Sequence, residues 1–147
     1  MFKKVLAIIV LVMGLVVFSS PPTALASCNL DTTRWHWVGS TDDYGLFVDA
    51  KTVRPLYGNI VESWVCKYNV GSCELHRIGE HYDFCLITIN YNNNTAGLKF
   101  YYVLDSNDNY VERYDYKHFT RYEPILPGSD GEFIADAVYL LAYGRKR

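Results

Sequence analysis

The 147-residue chain contains no C-x-x-C pair, no G-x-S-x-G, no internal repeat and no low-complexity tract. The first absence removes the common zinc and redox spacings. The second removes the nucleophile-elbow serine, and the others leave no solenoid or interdomain linker. Basic charge is also short. Two of the 14 lysines and arginines sit at positions 3 and 4, so 12 face 16 acidic residues in the remainder. That balance offers nothing to nucleic acid or to an anionic membrane surface. The single basic cluster, Arg145-Lys146-Arg147, suits the negative end of a helix dipole. Alanine and leucine are sparse from residue 27 to 125, which argues against a helical bundle.

What is present begins with a leader. Phe2-Lys3-Lys4 precedes an apolar run from Val5 to Phe18, and Ser19-Ser20-Pro21-Pro22-Thr23 breaks it before Ala24-Leu25-Ala26. This is the layout of a secretory signal peptide over 1–26, too short for a comfortable membrane span. It predicts a single domain over 27–147, secreted, periplasmic or at the cell surface, with no integral span after cleavage. Leu25-Ala26-Ser27-Cys28 is also a bacterial lipobox, and lipidation of Cys28 with membrane anchoring is the alternative.

Four cysteines, Cys28, Cys66, Cys73 and Cys85, all follow the leader. An even count in an exported chain reads as a disulfide framework with three connectivities. Turn chemistry at Asn69 and Gly71-Ser72 favours Cys66 with Cys73, leaving Cys28 for Cys85; Cys66 with Cys85 across neighbouring strands competes. Two bridges need all four sulfurs, so parity favours cleavage before Ser27 over lipidation.

Thirteen tyrosines, seven phenylalanines and three tryptophans favour strands. Six are predicted: 34–39, 44–49, 59–68, 82–91, 97–104 and 110–117, separated by short Asn-, Asp- and Gly-rich links that suit antiparallel hairpins. Ala50 to Pro55 reads as a short helical turn or loop. The character changes at Pro127-Gly128-Ser129-Asp130-Gly131-Glu132. Ser129 and Glu132 form a capping box, and Ile134, Ala137, Val138 and Leu141 share one face of a helix running from Asp130 to about Tyr143, stopped by Gly144. The predicted fold is α+β: a single antiparallel sheet of about six strands with one C-terminal amphipathic helix packed on it. One helix covers only part of one sheet face. Simple alternation in the last strand places Tyr110, Glu112, Tyr114 and Tyr116 together, so Tyr110, Tyr114 and Tyr116 are the predicted contact surface.

No catalytic residues, cofactor ligands or metal ligands follow from the pattern. Asp105-Ser106-Asn107-Asp108-Asn109 opens like a calcium loop, but Tyr110 and Tyr116 stand where glycine and glutamate are required, which leaves a hairpin turn. His36, His76, His81 and His118 are scattered. A haem or metal held by His76 or His81, and a small enzyme or inhibitor with an unrecognised site, are the alternative readings.

Four stretches in order carry a resemblance: "WVGSTDDYGLFVDAKTVR" (37–54), "VESWVCKY" (61–68), "YYVLDSNDNYV" (101–111) and "PILPGSDGEFIADAV" (124–138). Together they resemble the surface-adhesin protein E-like family of small exported bacterial proteins. The resemblance implies one antiparallel sheet with a C-terminal helix, and an adhesin-like module that binds a protein partner or pairs with itself as a homodimer. Since the named member of that family is lipid-anchored, it also lends weight to the lipidation alternative. It supplies no binding residues for this chain. The expected function is therefore an exported, non-enzymatic interaction module at or outside the envelope. Intact-mass measurement of the exported protein is expected to show a chain beginning at Ser27; a diacylglycerol-sized addition on Cys28 would reverse that expectation.

Overall fold

The structure, a computed structural model, describes residues 28–74, 77–116 and 121–147. In chain order its elements are β1 (Trp35–Ser40), β2 (Tyr44–Asp49), β3 (Arg54–Pro55), β4 (Ile60–Asn69), β5 (His81–Asn90), β6 (Thr95–Asp105), β7 (Tyr110–Asp115), β8 (Tyr122–Pro124) and α1 (Asp130–Tyr143). The sheet runs β1-β2-β4-β5-β6-β7, with β3 added to β4 and β8 to β6, and every pairing is antiparallel. The six strands and the helix stand close to where the apolar alternation places them. Arg54–Pro55, expected in a helical turn or loop, instead lies against Val61 and Glu62 as β3. β8 extends the edge that β7 leaves open at the start of β6. Lys117, His76, His118 and the leader lie outside the described residues.

Short polar links close the hairpins by capturing their own amides. The Asp105 carboxylate accepts from the backbone of Asn107 and Asn109 (both 2.8 Å) and from the Asn109 amide (3.0 Å), while Asp108 takes φ 61°. This is the hairpin turn expected there, with its carboxylate occupied by its own loop. At the helix, the Ser129 hydroxyl accepts from the Glu132 amide at 3.3 Å. Glu132 reaches back to the Gly128 amide (2.7 Å), one residue earlier than a standard capping box. Gly144, at φ 68°, donates to Leu140 O and ends the helix in the left-handed conformation that glycine adopts without penalty.

The pleat sorts the apolar residues into two cores. Along β4, Val61, Ser63 and Val65 face the helix, and Glu62, Trp64, Cys66 and Tyr68 face away. α1 lies over β1, β2 and β4, where Ala135 and Val138 meet Val48, Val61, Val65, Ile89 and Ile125. Tyr91 ties sheet to helix by donating from its hydroxyl to Ala135 O at 2.7 Å. The opposite face holds Phe47, Cys66, Tyr68, Tyr82 and Phe84. Here the segment leading into β1 matters: Cys28, Leu30 and Trp35 pack onto that cluster. The second face is thus partly covered by the chain itself.

No disulfide joins the described cysteines. Neither expected pair, Cys66 with Cys73 or Cys28 with Cys85, is formed. Cys85 pairs with Val65 and faces the helix, whereas Cys66 and Cys28 belong to the opposite cluster. Cys66 lies inside β4 and Cys73 in the loop after it, where its backbone pairs with Ile78. Replacing Ser129 with alanine is expected to cost about 1 kcal/mol, read as a lower urea midpoint with an unchanged m value.

Candidate interaction surfaces

Two register shifts re-sort the side chains of β6 and β7. Tyr102 opposes Arg113 and Val103 opposes Glu112, but Leu104 opposes Tyr110, so Val111 is an inserted residue. Tyr110 therefore crosses to the face of Tyr102 and stacks on it, with centroids 6.1 Å apart. Tyr114 stays on the other face, stacked between Tyr101 and Tyr116 (6.1 and 5.9 Å), and its hydroxyl bonds Glu112. The three tyrosines expected to share one surface are divided between two. In β6, Lys99 is the inserted residue, since Leu86 opposes Phe100 and Ile87 opposes Leu98. Leu98 consequently faces the helix side rather than joining Phe100 and Tyr102.

The face away from the helix is an aromatic ladder. Trp35 packs on Phe84 (5.5 Å), Phe84 stacks on Tyr102 (4.8 Å), and Trp64 meets Phe100 and Tyr102 edge-on (5.7 and 5.6 Å). Two buried carboxylates lie beside it. Asp49 is fully buried and takes two bonds from Arg34, 2.9 Å from Nε and 2.6 Å from Nη2. Glu62 receives Arg54 Nη2 and Lys99 Nζ, each at 2.5 Å. Burial alone would raise the Glu62 carboxyl, but the hydrogen bonds and charges of Lys99 and Arg54 outweigh it and hold it below its ordinary 4.5. A cleft of about 450 Å³ opens here, lined by Lys51, Arg54, Glu62, Trp64 and Leu86.

A different surface forms where β1 meets α1. Val38 is inserted between Trp37, opposite Phe47, and Gly39, opposite Leu46. It packs into the helix-side core, while Trp37 remains 48 % exposed. On the helix, Phe133 and Leu140 fall outside the buried stripe and are 52 % and 40 % exposed. These three residues line a cleft of about 370 Å³ together with His36 and the Asp136–Arg147 ion pair (2.9 Å). A neighbouring cleft of about 400 Å³ shares Val38 and Phe133 and runs on to Tyr44 and Asp130. β1 ends the sheet, so one of its edges pairs with no strand among the described residues. Sequence patterning did not single out this place. Its signal was Phe133 and Leu140, seven residues apart on the helix and off the Ile134, Ala137, Val138, Leu141 stripe.

Nucleophiles and ligands find little support elsewhere. Burial raises the thiols of Cys28 and Cys66, and carries Cys85 up to about 12. His81 is buried with Nδ1 2.9 Å from Gly79 O. Among the described residues no three His, Cys, Asp or Glu side chains converge as a metal set. No family model, curated protein or solved structure matches the chain.

The Glu62 bonds have a pH signature. Because its folded pKa is depressed, their contribution is complete above the unfolded value near 4.5 and is lost as pH falls through the folded value. Glu62→Gln is expected to lose about 2 kcal/mol at pH 7, and the gap to the parent should shrink below pH 4.5 in urea titrations at stepped pH. A gap that stays constant down to pH 3 would remove Glu62 from the acid sensitivity.

Proposed function

We propose that the chain is an exported, non-enzymatic binding module, adhesin-like in the sense of the surface-adhesin protein E-like family it resembles. It works at or outside the bacterial envelope and grips an extended polypeptide segment along the free edge of β1. The observation that carries this reading is the coincidence of that edge with the cleft holding Trp37, Phe133 and Leu140. An added strand takes main-chain hydrogen bonds from an open edge, and alternate side chains take their specificity from the neighbouring pocket. Trp and Phe exposed beside such an edge offer the rigid apolar anchors that dominate contact energies. The non-enzymatic part is supported by the raised cysteine thiols and by buried carboxylates committed to Arg34, Arg54 and Lys99. The leader at 1–26 supports export; anchoring through a lipid on Cys28 is the alternative form of the same module.

Selection of a random peptide library on the immobilised mature chain tests this. Peptides with alternating apolar residues are expected, and Trp37→Ala with Phe133→Ala should weaken them at least about tenfold, some 1.4 kcal/mol. Tyr110→Ala with Tyr114→Ala should leave them unchanged. Losses that follow the tyrosines instead would move the contact surface. A dimer by light scattering that Trp37→Ala and Phe133→Ala dissolve would make a second copy of this chain the occupant.

A further inference from the structure

We infer that Cys28 and Cys66 form a disulfide in the exported protein, one that fastens the segment 28–35 across the aromatic face. The inference rests on the export reading, because it needs an oxidising compartment. β4 holds Cys66 on the face opposite the helix, 1 % exposed, between Phe47 on β2 and Phe84 on β5. Cys28 packs onto the same cluster from above. Its neighbour Asn29 is pinned there, its amide donating to the Tyr82 hydroxyl at 3.2 Å, and Leu30 and Trp35 pack alongside. Burial chiefly raises both thiols, as their place in one apolar cluster requires. The remaining cysteines are excluded from this pair. Cys85 faces the helix, and Cys73 sits in the loop after β4, bridged to Ile78.

The chemistry is thiol–disulfide exchange with a protein disulfide oxidant of the exported compartment, or with glutathione disulfide in vitro. Cys28, the less buried thiol, loses its proton and attacks the oxidant, displacing one thiolate and forming a mixed disulfide. The Cys66 thiolate then attacks the Cys28 sulfur and displaces the second. Two protons and two electrons leave the protein, and the oxidant is reduced to two thiols. Both thiols are raised by burial, so the uncatalysed reaction is slow. The same sulfur cannot carry a lipid thioether, so the bridge and the lipobox compete for Cys28.

The test is a non-reducing peptide map of the exported protein and of the purified chain after glutathione disulfide. A linked pair of peptides holding Cys28 and Cys66, with Cys73 and Cys85 alkylatable, is expected. The bridge closes a loop of about 40 residues, so reduction should lower the melting temperature by roughly 10 °C. Cys28→Ser and Cys66→Ala should each show the lowered value and no further response to reductant. Any other linkage, four free thiols after glutathione disulfide, or a diacylglycerol on Cys28 would overturn the inference. A chain recovered with its leader intact would defeat the export reading alone, since glutathione treatment still reads the pair.

Discussion

The pairing of β4 with β5 over ten residues decides what each side of the molecule contains. Strand side chains alternate with a period of two, so this one register assigns Val61, Val65, Cys85, Ile87 and Ile89 to the helix and Trp64, Cys66, Tyr68, Tyr82 and Phe84 to the opposite side. A slip of one residue would exchange both sets at once. The aliphatic side is flat enough for α1 to lie on it through Ala135 and Val138. The aromatic side is too large for one element to cover, and residues 28–35 seal it only in part.

Around that two-sided sheet, charge is used mainly to hold things in place. Asp49 and Glu62 are buried carboxylates, and each is tied by cations from other segments: Arg34 from the N-terminal approach, Arg54 from β3, Lys99 from the inserted residue of β6. Removing one partner of such a set leaves an uncompensated buried charge, which makes the pairs strong constraints on position. They link the N-terminal approach to β2, and the short β3 and the inserted Lys99 to β4. The β1 edge, by contrast, leaves Trp37, Phe133 and Leu140 exposed.

The fold was legible because its signals are local and periodic. Asn- and Asp-rich links mark the hairpins, and Ser129, Glu132 and Gly144 mark both ends of the helix with the groups that satisfy its free amides and carbonyls. Which side chains share a face was not legible in the same way. Val38, Lys99 and Val111 are each inserted opposite an unbroken partner strand, and each insertion reverses the alternation beyond it. Nothing in the residue types at those places distinguishes an inserted residue from a paired one. Counting by twos therefore put Tyr110 with Tyr114, and that pair is split across the sheet.

By itself the sequence determined the antiparallel α+β architecture, the number of long strands and the limits of the helix, since each depends on contacts within a few residues. Which face each cysteine takes, which tyrosines share a face, and where an open edge meets an exposed Trp37 and Phe133 depend on residues far apart in the chain. Cysteine spacing pointed to Cys66 with Cys73, close in sequence but separated by the rest of β4 and its turn. Cys28 is distant from Cys66 in sequence yet packs in its cluster. Register and bulges, which arise only when strands meet, made that difference.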